Sequence, residues 1–145
     1  MYEVFNGIRK AIAKEFTGIP IYIKNNGGDF KRPSFFILFI GSNSKDLNKL
    51  IYTDSMLFQV VFFSPLDFHK NVDTKQQFEN YEKLRNIFQR KGYIEVGDRF
   101  PSITSLEGGP KGNEIYLTIG VDWHDSRYTP ETGEIADTLE LDFKQ

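Results

Sequence analysis

The sequence contains no cysteine, only two histidines and a single tryptophan among its 145 residues. The lack of cysteine excludes disulfides, thiolate zinc sites and a cysteine nucleophile, and it fits a reducing cytoplasm. Two histidines leave little material for a general base, and the fingerprints G-x-S-x-G and H-E-x-x-H do not occur. Catalysis is therefore disfavoured.

Long hydrophobic runs are also lacking. The longest, Phe35 to Ile40, is far shorter than the roughly 20 residues that cross a bilayer, so we expect no membrane association. Its length suits a strand instead, and large apolar residues at every position predict a strand that is covered on both sides. The first residues have no continuous apolar segment, so we expect no signal peptide.

Charge is nearly balanced, with 18 Lys and Arg against 20 Asp and Glu and a net charge of −2. The basic residues are scattered along the chain. The nearest approach to a basic patch consists of Arg9, Lys10, Lys14, Lys24, Lys31 and Arg32. We interpret these as a solvated face and expect no specific nucleic-acid binding.

Two segments have the periodicity of amphipathic helices. Apolar residues recur every three or four positions from Tyr2 to Phe16, and Gly18 is placed to end that helix. The second helix is predicted to begin with Asp73 or Thr74 as N-cap and to close at Gly92.

Strands are predicted on both sides of the second helix. The segment Ile19 to Lys24 alternates in polarity, and the "NNGGD" turn after it predicts a wide antiparallel hairpin whose second arm contains Phe35 to Ile40. The polar segment Gly41 to Ser55 is interpreted as a long, mobile loop. Another strand is expected from Met56 to Phe63.

The remainder of the chain is rich in turns. "YIEV" (93–96) is interpreted as a short strand, "SITSLE" (102–107) and "EIYLTIGVDW" (114–123) as an antiparallel pair around "GGPKGN", and "TLELDF" (138–143) as a last strand. Separate runs of strands and helices joined by hairpin turns predict an α+β fold. We therefore expect one domain over residues 1–145, a mainly antiparallel sheet with two helices packed against it.

Two features of the sequence indicate that the protein binds a partner or a ligand. Fourteen Phe residues exceed the needs of one core face, which indicates a surface that another subunit covers. In "DWHD", Asp122 and His124 would share one face of a strand, and His69 is the only other histidine. A metal would need further ligands, so we favour a solvated strand end and keep a small metal- or ligand-binding module as the alternative.

Taken together, these segments resemble the small tail-terminator (tail-completion) proteins of long-tailed bacteriophages and prophages. The resemblance lies in "EVFNGIRKAIAKEF", "IPIYIKNNGGDFKRPSFFI", "LFQVVFFSP", "ENYEKLRNIF" and "YLTIGVDW", and "FKRPSFFI" (30–37) is its most telling part. It extends over nearly the whole chain, although the long, turn-rich C-terminal part departs from the expected pattern.

The resemblance implies a structural virion protein that has no catalytic residues, is not an enzyme and needs no cofactor. Such proteins form a ring, usually of six copies, on the head-proximal end of the tail tube, end its polymerisation and offer a surface for head-completion proteins. The implied location is the virion tail, reached from the host cytoplasm during assembly. Another head-tail connector or adaptor is the alternative. Exposed Tyr, Arg and charged residues of two polar segments are the expected contacts: Asp46, Lys49, Tyr52, Arg127, Tyr128 and Glu131.

Overall fold

The structure is a computed structural model that describes residues 1–24 and 31–126. The predicted strand at 138–143 therefore lies outside the described residues. The elements follow in the order α1 (Tyr2–Glu15), β1 (Ile21–Tyr22), β2 (Ser34–Asp46), β3 (Ile51–Phe63), α2 (Thr74–Gln89), β4 (Ser102–Lys111) and β5 (Glu114–Ser126).

The five strands form one sheet in the order β1-β2-β3-β5-β4. β3 is the central strand and pairs antiparallel with β2 on one side and with β5 on the other. β4 and β5 are also antiparallel, whereas β1 and β2 are parallel. The two helices lie on one face of the sheet. The predicted α+β class, a mainly antiparallel sheet with two packed helices, is confirmed.

The core lies between the helices and that face. It includes Val4, Ile8 and Ile12 of α1 and Leu84 and Phe88 of α2, each at most 1% exposed. The strands contribute alternate residues, as the pleat requires: Phe35, Ile37, Phe58, Val60, Phe62, Ile115, Leu117, Ile119 and Val121.

Aromatic rings join α1 to the sheet in this core. The ring centroids of Phe16 and Phe35 lie 5.0 Å apart in an edge-on arrangement, and those of Phe35 and Phe62 lie 4.7 Å apart. These spacings are favourable for aromatic pairs. Phe35 is fully buried, so the first aromatic residue of the apolar run belongs to the core.

The apolar run is covered by the described residues on one face only. Phe36 and Leu38, which point away from the helices, are half-buried, and Phe39 and Ile40 are 43% and 49% exposed. The expectation of a strand covered on both sides was therefore wrong for the described part of the molecule. An unbroken apolar run shows that neither face is polar, but it does not show what covers each face.

The pairing of β1 with β2 corrects a second expectation. Ile21 is the partner of Phe35 and Tyr22 of Phe36 in parallel register, so these segments are not two arms of an antiparallel hairpin. Glycine-rich turn signals indicate that the chain reverses, but they do not determine which strands pair afterwards. The chain between Tyr22 and Ser34 is long enough to run back along β1, so that β2 can begin beside the start of β1 and run parallel to it.

The predicted long loop at Gly41 to Ser55 was wrong. β2 and β3 continue as a hairpin to Asp46 and Ile51, and only residues 47–50 form the turn. Polar side chains occupy both faces of this extension, so the usual alternation is absent. Backbone pairing stabilises it instead, since β5 also pairs with β3 as far as Ile51.

A β-bulge marks the beginning of this extension. Phe39 pairs with Phe58 and Gly41 with Leu57, so Ile40 is an additional residue that has no partner on β3. Bulges bend the strand and increase its local twist. The hairpin beyond Gly41 is therefore redirected relative to the part of the sheet that the helices cover.

The second helix begins as predicted. The Asp73 carboxylate accepts hydrogen bonds from the backbone N–H groups of Lys75 and Gln76, at 3.1 and 3.4 Å. Gly92, with φ of 77°, follows the end of the helix. The predicted strand at 93–96 is reduced to two single bridges, Tyr93 with Ser102 and Val96 with Arg99.

Arg32 connects three parts of the chain at the end of the sheet remote from the hairpin turn. Its guanidinium donates to the backbone carbonyls of Ser64 and Asn113, at 3.0 and 3.2 Å. It also forms an ion pair with Glu114 at 2.8 Å. Arg32 therefore holds the beginning of β2, the end of β3 and the β4–β5 turn together, and it is not part of a solvated basic face.

Replacing Arg32 should destabilise the fold. Arg32→Ala removes hydrogen bonds to two carbonyls, and such charged bonds contribute about 1.5–3 kcal/mol when buried. Because the ion pair is about a quarter exposed, we expect a loss of about 1–2 kcal/mol in the free energy of unfolding. Urea unfolding measures this, with Lys31→Ala as the exposed neighbouring control; equal losses in both variants would contradict the assignment.

Gly7 allows α1 to approach the segment after α2 closely. A Cβ atom at Gly7 would lie 2.7 Å from Ile94 Cγ2 and 2.8 Å from the Glu95 carbonyl oxygen. Such overpacking costs about 1–3 kcal/mol, which exceeds the gain in helix propensity of up to about 1 kcal/mol.

Gly7→Ala should therefore lower the free energy of unfolding by about 1 kcal/mol. Gly41→Ala is the matched control, because a Cβ atom there meets nothing within 4 Å. Thermal or urea unfolding of both variants gives the comparison. A stabilised Gly7→Ala variant would show that the close approach is not required.

Candidate interaction surfaces

The hairpin extension carries three of the predicted contact residues. Asp46 and Tyr52 are partners at the last pair of β2 and β3, and Lys49 lies in the exposed turn between them. The structure thus brings these three to one place. The other predicted contacts, Arg127, Tyr128 and Glu131, lie outside the described residues, just beyond Ser126 of β5.

The turn at the end of the hairpin is ordered by a side chain. The side-chain oxygen Oδ1 of Asn48 accepts hydrogen bonds from the backbone N–H groups of Leu50 and Ile51, at 2.7 and 2.9 Å. The backbone N–H groups of Leu47 and Asn48 donate in turn to the Ile51 carbonyl. This arrangement, in which an Asn side chain closes its own turn, fixes the turn while its flanking side chains face outward.

Those flanking side chains are apolar. Leu47 is 57% exposed, Leu50 63% and Ile51 37%. We call residues 46–52 the hairpin tip. Their exposure means that these apolar side chains do not pack the segment against the rest of the described chain. Exposed apolar residues grouped at one point are typical of a contact site.

The base of the extension is braced by the segment after α2. The guanidinium carbon of Arg99 lies 3.7 Å from the centre of the Trp123 ring, a cation–π contact, and Arg99 also donates to the His124 carbonyl. On the opposite side of the same strands, the Ser55 hydroxyl donates to the Asp122 carboxylate at 2.8 Å. The extension is therefore anchored where it leaves the helix-covered part of the sheet.

The sheet face that points away from the helices forms a second surface, which we call the outer face. It carries Leu38, Leu57 and Tyr116, with Gln59 and Thr118 between them. Leu57 is 41% exposed and the others are half-buried. Neither helix covers this face, and no described residue outside the sheet contributes to a core there.

A third surface is a cleft of about 450 Å³ between the two helices and residues 93–95. Gly7, Ala11 and Ile87 lie along it, and small side chains on α1 leave the space open. Five cationic side chains line it as well, and we call it the basic cleft: Lys10, Lys14, Lys83, Arg90 and Lys91. Its carboxylates are Glu15 and Glu95.

Sequence reasoning found only part of this cleft. Lys10 and Lys14 belong to the scattered basic residues noted above, but Lys83 and Arg90 come from the other helix. A signal was present, because 7, 10, 11 and 14 in α1 and 83, 86, 87 and 90 in α2 follow the spacing of one helix face. The sequence alone does not show that these two faces meet.

The histidines do not form a site together. His124 pairs with Thr53 near the hairpin tip, where its Nδ1 lies 2.7 Å from the Thr53 hydroxyl. His69 lies beyond the other end of β3, after Phe63. Within residues 1–24 and 31–126 there is no group of three or more His, Asp or Glu side chains arranged to hold a metal ion.

No helix in the described part of the chain is long and apolar enough to cross a membrane.

Three surfaces of the described residues stand out: the hairpin tip, the outer face and the basic cleft. Apolar residues lie beside charged ones in the hairpin tip and the basic cleft, and beside Gln59 and Thr118 on the outer face. Mixed surfaces of this kind are typical of contacts with other macromolecules.

Comparisons with known proteins place the chain in a family. No curated protein matches its sequence. A solved structure known only by a sequence label is 14% identical over 88% of this chain and 98% of that chain, with a TM-score of 0.36, and a likeness this weak carries no argument. The sequence model described as "Phage tail terminator protein", in contrast, matches residues 3–133. The chain therefore belongs to the phage tail terminator family and is a structural component of a phage tail.

Proposed function

We propose that this protein caps the head-proximal end of the phage tail tube, ends polymerisation of the tube protein and forms the surface to which head-completion proteins join. The observation that carries the proposal is the family match over residues 3–133, which leaves little of the chain for another role. The protein acts in this proposal by protein contacts alone, without catalysis or a cofactor.

The described surfaces support this role. A cap must contact the last ring of the tube, the head-completion protein and its own neighbours, so it needs several separate contact surfaces. The hairpin tip, the outer face and the basic cleft lie on three different parts of the molecule. A ring of six copies, matching a tube of six-fold symmetry, is the assembly that we propose.

The outer face is suited to burial in such an assembly. Leu57 is 41% exposed and lies beside the half-buried Leu38 and Tyr116. Apolar groups of this kind gain about 25 cal/mol for each Å² removed from water. A contact on this face would therefore stabilise the assembly while the monomer stays folded through its separate core.

Deleting the gene from the phage or prophage that encodes it should give tails of uncontrolled length that do not join heads. Electron microscopy of lysates measures tail length and head attachment. The gene supplied from a plasmid should restore both. Tails of normal length without heads would indicate a different head-tail connector, and normal joined particles would contradict the proposal.

A charge on the outer face should disrupt the assembly without unfolding the chain. In Leu57→Glu, a carboxylate would have to be buried in the contact, which costs several kcal/mol, whereas in the monomer it remains in water. We expect an unfolding temperature close to that of the wild type and a loss of complementation in the deletion strain.

Phe78→Glu is the matched control, since Phe78 is 57% exposed on α2, on the other side of the molecule. It should complement normally. If Leu57→Glu also complements fully, the outer face is not a contact surface of the tail.

A further inference from the structure

We infer that copies of this chain contact one another through two different surfaces, with the hairpin tip of one copy inserted into the basic cleft of the next. This inference rests on the proposed ring and names the surfaces that build it. The occupant of the basic cleft is thus a second copy of the same chain.

The hairpin tip has the form of an inserting element. Strand pairing continues without interruption from Gly41 to Asp46, which extends the hairpin by roughly 15–20 Å at about 3.3 Å per residue. The turn at its end is held by the Asn48 side chain. An ordered tip loses little conformational entropy when it binds, so its exposed Leu47 and Leu50 are prepared for a contact.

The basic cleft has a size and a lining that fit this tip. Its volume of about 450 Å³ falls within the roughly 300–1,000 Å³ of clefts that bury ligand-sized groups. The half-buried Ala11 and Ile87 present apolar surface beside Gly7. Two leucine side chains can therefore exchange water for an apolar environment there.

Charges around the two surfaces are complementary. The cleft has five cationic side chains against Glu15 and Glu95. The end of the extension carries three carboxylates, Asp46, Asp54 and Asp125, against two ammonium groups, Lys45 and Lys49, so the excess charge is negative at the extension and positive in the cleft. Opposite potentials of this kind steer association and select its orientation.

Lys45 of β2 and Lys49 of the turn are the exceptions to this pattern. Lys49 is the outermost charge of the tip and enters the cleft first, where Glu15 and Glu95 are the carboxylates that can pair with it.

The tip does not fill the cleft of its own chain. Its strands stay paired to each other and to β5 as far as Ile51, and no residue from 46 to 52 lines the cleft. A contact between two different surfaces of identical chains is heterologous, and such contacts generate closed rings when the rotation closes. This geometry suits a cap on a tube.

Cysteine cross-linking tests the contact directly, because the natural chain has no cysteine. Separately purified Leu50→Cys and Ala11→Cys chains are mixed and oxidised, and the heterodimer is measured on a non-reducing gel. Docking raises the local concentration of the two thiols, so we expect about tenfold more heterodimer than from a control mixture.

The control mixture combines Leu50→Cys with Phe68→Cys, a residue that is 94% exposed beyond the other end of β3. Equal yields in the two mixtures would overturn the inference. Adding Lys14→Glu and Arg90→Glu to the Ala11→Cys chain should lower its yield toward that of the control, and an unchanged yield would overturn the role of charge.

Complementation separates this inference from the proposed function. The double variant Leu47→Ser, Leu50→Ser changes exposed residues and should keep the unfolding temperature of the wild type, yet fail to restore tails in the deletion strain. Phe68→Ser should restore them. If the wild type and the double variant both restore normal tails, the proposed function stands and the tip contact is overturned; if the wild type fails, the function itself is wrong.

Discussion

The fold depends on the position of β3 at the centre of the sheet. Its residues pair with β2 on one side and with β5 over its whole length on the other, from Ile51 to Phe63. Only half of that length lies under the helices, where Phe58, Val60 and Phe62 complete the core. The same strand therefore supplies the stable body of the domain and the projecting extension, and the two parts differ only in the polarity of their side chains.

The helices were predictable from the sequence because each depends on local signals. Asp73 caps α2, and the apolar periodicity of α1 is that of its buried face. Strand pairing was less predictable. Nothing near Ile21 indicates a parallel partner, and the polar residues beyond Gly41 form strands only because β5, which is distant in sequence, pairs alongside β3. Non-local pairing overrode the local appearance of a loop.

The residues predicted as contacts show the same division between local and non-local signals. Asp46, Lys49 and Tyr52 were chosen as exposed residues of a polar segment, and the structure gathers them at the hairpin tip. The basic cleft was missed because its two helix faces are brought together only by packing, and Gly7 lets α1 lie close to Ile94 and Glu95 at its border. Composition can thus indicate that a chain has contact surfaces, while their location depends on contacts between residues far apart in sequence.

The bulge at Ile40 has a consequence for how such a molecule can change. Ile40 has no partner on β3, so a chain without it could keep all the pairs between β2 and β3, with Phe39 and Gly41 adjacent. The direction of the extension is thus governed by one residue at its root, whereas its chemistry is governed by residues at its end. A change at the bulge can therefore redirect the extension without altering the side chains that its tip presents, so the direction of this projecting element and its surface chemistry can evolve separately.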